Sequence, residues 1–373
     1  MRIERVGVVP YALPFRVPYV TVRGRIERRE LVLLRLHTDA GPIGLGEAAP
    51  LIFRGGLGTG ATVAQLRSIC GPVLEAADLT ELAAEVQPQH GPHALIRRLL
   101  AECERHGASP QAIHAVDLAL HDLAGKVRSV AVWRLLGAAH ARPIACNATL
   151  IADTPERVAA SAMTWATAGF ATFKLKVQLG RERSQVAEVR RAVGAAARIR
   201  VDVNGAWRAD EAPRRARELE PFDVELLEQP AGDLSSMAAL RRLTSIPIAA
   251  DESVATEAEA RRAAELRACD VVSLKLAEAG GLVAGAAIAS QIPVYLTSAL
   301  DGPLGIAAAG SLAQTLSGRG FAGGLAYGLA TARLFESNVM SYGWTVDRGK
   351  LHPSPAPGLG VDFDDAALEA HRI

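Results

Sequence analysis

Residues 171–204 read ATFKLKVQLGRERSQVAEVRRAVGAAARIRVDVN. A short apolar run ending in lysines leads into a stretch with Val186, Val189 and Val193 at three- and four-residue spacing, and then into a second apolar run that ends in Asp202 and Asn204. That is one strand–helix–strand unit. The unit repeats on both sides. The runs PIACNATL (143–150), VELLEQP (224–230), IPIAADES (246–253), DVVSLK (270–275) and PVYLTS (293–298) alternate with helical segments such as PERVAASAMTWATAG (155–169) and EAEARRAAELRA (257–268). Lys176, Asp202, Glu228, Asp251, Lys275 and Ser298 each end a run and recur at intervals of 23 to 26 residues. Seven such runs, with an eighth near Gly324–Leu329, predict an α/β chain whose parallel strands close into a barrel. The polar residues would then gather on one rim, at the carboxyl ends of the strands.

Upstream of the repeats the pattern changes. Residues 1 to about 55 carry strand character and residues 61–138 carry helical periodicity, which predicts a separate α+β domain over 1–138 ahead of a barrel over 139–340. The tail, 341–373, holds a strand-like segment and a Pro/Gly-rich turn and is expected to return to the first domain. Across the 373 residues, 41 Lys and Arg balance 40 Asp and Glu, so bulk charge points away from nucleic acid or a membrane surface and toward a small ligand. Cys70, Cys103, Cys146 and Cys269 lack CxxC spacing, and reduced thiols in a cytoplasmic enzyme are expected. The start, MRIERVGVVPYALPF, is broken by Pro10 and Pro14 and does not read as a secretion signal or a membrane span.

On adjoining strand ends Asp202, Glu228 and Asp251 would converge. Taken singly, a strand-end acid caps a helix or pairs with arginine; taken together, three carboxylates repel one another unless a divalent cation neutralises them, and an all-oxygen donor set suits Mg²⁺, with Mn²⁺ as its substitute. Lys174 and Lys176 flank Leu175, so both face the same way and Leu175 faces the other. Burial and a nearby cation are expected to lower their pKa values and make a neutral amine available as a base. Lys275, four units further on, would face the pair across the barrel mouth. Such a site would remove the proton α to the carboxyl group of a small-molecule carboxylate. A Schiff-base aldolase could also use a strand-end lysine, but it would not need three acids beside it.

KLK (174–176), RVDVN (200–204), LLEQP (226–230), ADES (250–253) and SLKLAEAGG (273–281) resemble, in order and spacing, the signature set of the muconate-lactonizing subgroup of the enolase superfamily. GLGEAAP (44–50) and HAVDLALHDLAGK (114–126) extend the resemblance over nearly the whole chain. It implies a modified (β/α)₇β barrel of TIM type behind an N-terminal α+β capping domain. It implies Mg²⁺ held by Asp202, Glu228 and Asp251, Lys176 as acid/base, and Lys275 as the opposing acid/base or a cationic stabiliser. Lys174 would help neutralise the substrate carboxylate, Asn204 and Arg200 would support the metal shell, and Glu252 would pair with a neighbouring lysine. Loops of the capping domain close over the mouth in this family, which makes Pro18–Arg25 and Leu51–Gly60 candidate lids and Tyr19, Arg23, Phe53 and Arg54 their side chains of interest. A homo-oligomer is expected.

Members of the subgroup share the proton abstraction and then diverge. TSALDGPLGIAAAGSLA (297–313) and AYGLATARLFESNV (326–339) resemble the seventh- and eighth-strand regions of o-succinylbenzoate synthases, which adds Ser298 and Asp301 to the substrate-binding candidates. Dipeptide epimerases typically carry Asp-x-Asp near the eighth strand, and this chain has none there. The leading expectation is therefore a carbon–oxygen lyase that dehydrates a cyclohexadiene carboxylate to o-succinylbenzoate in menaquinone synthesis. An epimerase or racemase of dipeptides or N-acylamino acids comes second and a muconate cycloisomerase third, with a non-catalytic barrel protein as the remote alternative. GGLGTG (55–60) lacks GxGxxG spacing and reads as a loop, and His114 and His121 read as a packing face of one helix.

Overall fold

The computed structural model describes residues 1–21, 24–50, 52, 55–83, 94–316 and 321–373. Three antiparallel strands open the chain: β1 (Ile3–Thr21), β2 (Gly24–Thr38) and β3 (Ile43–Ala48), in the spatial order β1-β2-β3. Two helices, α1 (Ala94–Arg105) and α2 (Pro110–Val127), cover them. The start of α2 is fixed locally, because Ser109 accepts from the Ala112 amide and Pro110 occupies the first turn, where its missing N–H costs nothing. The glycines of the GLGE run have a packing reason. A Cβ on Gly44 would stand 2.5 Å from the carbonyl oxygen of Ala119 in α2, so only glycine lets strand and helix approach this closely.

Seven parallel strands follow: β4 (Ala148–Leu150), β5 (Thr172–Lys176), β6 (Arg198–Asp202), β7 (Val224–Glu228), β8 (Ile248–Ala250), β9 (Val271–Lys275) and β10 (Val294–Thr297). They lie side by side in chain order, each paired with the next in parallel. Helices on the outside connect them, several with N-caps written into the sequence. Asp233 caps Leu234–Arg241, and Thr256 and Glu259 form a reciprocal capping box on Glu257–Leu266. The alternation inside β5 is complete, with Phe173 and Leu175 buried in the strand–helix layer while Lys174 and Lys176 turn into the barrel.

Two segments differ from the sequence-based expectation. The run 143–150 divides, with Ile144–Ala145 pairing antiparallel with Lys350–His352 of the tail and only Ala148–Leu150 joining the barrel. The eighth strand shrinks to Tyr327 and Gly328, which form parallel bridges to Cys146 and Thr297 and so close the ring between its first and last strands. Beyond Lys350–His352 the tail returns to the N-terminal domain: Leu359 N–H donates to Asp122 of α2 at 2.7 Å, and the Ala12 amide of β1 donates to the His371 carbonyl at 2.9 Å. Among the described residues, no helix is long and apolar enough to cross a membrane.

Candidate active site

Strand register brings the polar ends together. Lys176 lies beside Asp202, and Asp202 beside Glu228, across consecutive strands, while Asp251 immediately follows β8. One carboxylate oxygen from each of Asp202, Glu228 and Asp251 falls within 4.8 Å of the others, and all three residues are buried. Lys174 Nζ donates to Glu228 Oε1 at 2.6 Å and lies 3.1 Å from Asp202 Oδ2. Lys176 Nζ donates to Asp202 Oδ2 at 2.8 Å and to Asn204 Oδ1 at 3.0 Å. Lys275, four strands round from β5, bonds Asp251 Oδ1. Three acids thus stand between a pair of amines on one side and a single amine on the other.

The electrostatics correct one expectation. Burial alone would lower the lysines, but Asp202 and Glu228 outweigh it for Lys174, and Asp202 does so for Lys176, so both ammonium groups are held above their ordinary pKa. Burial likewise pushes Asp202 up, and Lys174 and Lys176 together overturn that, leaving the carboxyl below its usual range. Here the lysines carry the charge that balances the acids. The donor set fits a divalent cation: three convergent, buried, hard oxygens with no nitrogen or sulfur among them.

Around this centre the structure redistributes several roles. Asn204, held by its own amide on Asp202 Oδ1 at 3.1 Å, bridges Lys176 to Glu252 and donates to Glu252 Oε1 at 3.0 Å. Glu252, expected beside a lysine, reaches Lys176 through that amide. Arg200, expected to support the metal shell, lies in register with Lys174. Its Nε donates to Glu225 Oε2 at 2.6 Å, its Nη1 to the Ala326 carbonyl at 2.7 Å, and its guanidinium sits 4.9 Å from the Tyr295 ring centroid. Its reach toward the acids runs through Tyr295, whose hydroxyl donates to Glu228 Oε2 at 3.0 Å.

The residue in register with Lys275 is Thr297, bonded to Ser273, and not Ser298, because Tyr295 and Thr297 share the interior face of β10. Ser298 Oγ accepts instead from the Asp301 amide at 2.8 Å and from Thr331 at 2.9 Å. Asp301, expected among the substrate-binding residues, is buried in the seam between cap and barrel. Burial pushes its carboxyl up to about 6, opposed by Arg29. Across that seam Glu47 accepts from Tyr11 at 2.8 Å and from the Gly302 amide at 2.7 Å, and burial pushes it up to about 7. Arg29 completes the cluster, donating to the carbonyls of Leu300, Ala299 and Pro50. Tyr19, buried and stacked on Phe15 at 5.5 Å, lies close enough to Lys176 to act on its charge. Arg23, Phe53 and Arg54 lie outside the described residues.

Three functional groups escaped the sequence reading. Gln229 accepts from the Asp251 amide at 2.8 Å and so sets the loop carrying that acid. Tyr295 and Glu47 are the others. Gln229 and Glu47 stand in motifs already singled out, LLEQP and GLGEAAP, whereas Tyr295 is an aromatic residue in an apolar run with no distinguishing signal of its own.

Residues 3–137 match the family described as Mandelate racemase / muconate lactonizing enzyme, N-terminal domain, and residues 157–367 match Enolase C-terminal domain-like. The chain is 27% identical to the L-Ala-D/L-Glu epimerase of Bacillus subtilis, over 97% of each chain. It is 39% identical to the o-succinylbenzoate synthase of Thermobifida fusca over 203 residues, which cover 52% of this chain and 61% of that one. Among solved structures, a dipeptide epimerase from Enterococcus faecalis V583, complexed with Mg and the dipeptide L-Leu-L-Tyr, superposes with a TM-score of 0.86 at 25% identity, covering 97% of this chain and 100% of that one. The chain belongs to the enolase superfamily, as an enzyme of its muconate-lactonizing-enzyme-like subgroup.

Proposed function

We propose that the protein is a Mg²⁺-dependent enzyme that abstracts the proton α to a carboxylate and then eliminates water, in the manner of o-succinylbenzoate synthase. Asp202, Glu228 and Asp251 would hold the ion, a choice supported by their donor chemistry and by the Mg present in the related epimerase complex. When bound, the ion supplies Lewis-acid stabilisation of negative charge developing on the substrate carboxyl group. Lys176 would take the α-proton in its neutral form, which a cation sharing the charge of Asp202 would favour over the ammonium that Asp202 alone stabilises, and as the resulting ammonium would return the proton to the departing hydroxyl group, so that water leaves. Lys275, on the far side of the acids, offsets the charge of the intermediate. Lys174 orients the carboxyl group.

The observation that carries dehydration over epimerisation is the neutral eighth-strand segment. Tyr327-Gly328-Leu329-Ala330-Thr331 offers no carboxylate to receive a dipeptide's ammonium group. The 39% identity to a synthase over 203 residues supports the same choice. A second reading, a dipeptide or N-acylamino acid epimerase, is favoured by amines on both sides of the acid triad and by a full-length match to an epimerase.

Proton NMR in D₂O with Mg²⁺ separates the two. Incubation with the hydroxy-cyclohexadiene carboxylate is expected to yield o-succinylbenzoate. Deuterium incorporation with inversion of a dipeptide or N-acylamino acid, and no dehydration, would overturn the synthase reading in favour of the epimerase.

A further inference from the structure

The run PVYLTS places one aromatic hydroxyl in the interior of the barrel. Tyr295 is fully buried, shares the inward face of β10 with Thr297, and pairs across the sheet with Ser273. Its hydroxyl donates to Glu228 Oε2 at 3.0 Å while Lys174 donates to Glu228 Oε1 at 2.6 Å. Both oxygens of that carboxylate are therefore engaged, by donors from strands on either side of it, and its rotation is fixed. The tyrosine is fixed in turn. Its ring lies over the Arg200 guanidinium at 4.9 Å, and Arg200 is anchored on Glu225 at 2.6 Å and on the Ala326 carbonyl at 2.7 Å. A cation beneath a phenol ring stabilises the ring's negative face and favours a polarised O–H. The column Glu225–Arg200–Tyr295–Glu228 thus runs from the barrel wall and its closing segment to one acid of the triad.

We infer that Tyr295, seated on Arg200, is a positioning residue that orients Glu228 for metal binding. The inference rests on reading Glu228 as a metal ligand. A tyrosine present only to fill the core would be replaceable by phenylalanine with no change at the mouth, since the ring keeps its packing; a positioning tyrosine would not.

The test titrates Mn²⁺ into the wild-type enzyme and into Tyr295→Phe, with free Mn²⁺ read by electron paramagnetic resonance, and with Tyr327→Phe as the control for losing another buried hydroxyl. Removing a partner that orients a metal ligand costs about 10- to 100-fold in metal affinity, so Tyr295→Phe should weaken Mn²⁺ binding at least about tenfold while Tyr327→Phe leaves it unchanged. As a readout independent of that variant's folding, the five tyrosines of the wild type are labelled as 3-fluorotyrosine, and the Tyr295 resonance is assigned by elimination from single Tyr→Phe substitutions at the other four. The Tyr295 fluorine resonance should shift on adding Mg²⁺ with no substrate present. Equal Mn²⁺ affinity in wild type and Tyr295→Phe, or a Tyr295 resonance indifferent to Mg²⁺, overturns the inference and leaves the acid triad standing. A wild-type protein that binds no Mn²⁺ overturns both.

Discussion

The charge cluster at the barrel mouth and the one in the seam between cap and barrel are both buried, and the same degree of burial leads them to opposite protonation behaviour. At the barrel mouth, three carboxylates meet three lysines, and Asp202 is held below the ordinary carboxylate range. In the seam between cap and barrel, Glu47 and Asp301 share one cation, Arg29, and burial pushes them up to about 7 and about 6. Desolvation is the largest influence in both places. What differs is the number of opposing charges, which decides whether the penalty is overcome. The mouth is built to hold charge and the seam to hold protons.

The sharpest way to break this contrast is at Lys176. Lys176→Ala should lower kcat by about 10²- to 10⁴-fold, the range expected for loss of a positioned acid/base, while Mg²⁺ affinity measured by calorimetry is retained. Next in size is Arg29, the cation that opposes both acids of the seam. Arg29→Met leaves three carbonyls without their donor and two buried carboxyls without the cation that opposes their charge, and should cost about 3–5 kcal/mol in urea unfolding.

A third effect is a dependence on pH. Glu47 and Asp301 bind protons more tightly folded than unfolded, so between roughly pH 4 and pH 7 the folded state retains protons that the unfolded chain has released. Stability should therefore be greatest at the acid end of this window and fall as pH rises through it. The Glu47 share is on the order of 3 kcal/mol. Glu47→Gln should flatten the profile measured by thermal melting between pH 5 and pH 8, and an unchanged slope would remove Glu47 from the account. The smallest effect separates the clusters by cation. Mg²⁺ at about 100 times its dissociation constant should stabilise the wild type and Glu47→Gln by about 2.7 kcal/mol and leave Asp202→Asn unmoved.

The sequence made the mouth legible because strand-plus-helix units place one polar residue per strand end in a common row, and Lys176, Asp202 and Glu228 indeed lie in one register. Side-chain alternation puts Thr297 in register with Lys275, and Ser298, which ends the run, lies one residue beyond the strand. The lysines' protonation depended on counting near neighbours in space, which periodicity does not record. Tyr295 reads as one more core aromatic until the strand across the barrel is known. Glu47 was hidden for another reason: its hydrogen-bond partner Gly302 lies 255 residues away, and no local pattern encodes so distant a contact. The eighth strand falls within the run expected near Gly324–Leu329, but at two residues it is too short for periodicity to fix its bounds.

That short closure has an architectural consequence. A hoop fastened by two residues has little hydrogen bonding of its own at the joint, and the segment just beyond it is gripped by the first strand of the cap, through Glu336 N–H on the Pro14 carbonyl at 2.9 Å and Phe15 on Phe335 at 5.0 Å. The cap is thus the clasp of the barrel as well as its cover. Cutting the chain after residue 138 would leave the hoop unlatched at its weakest point.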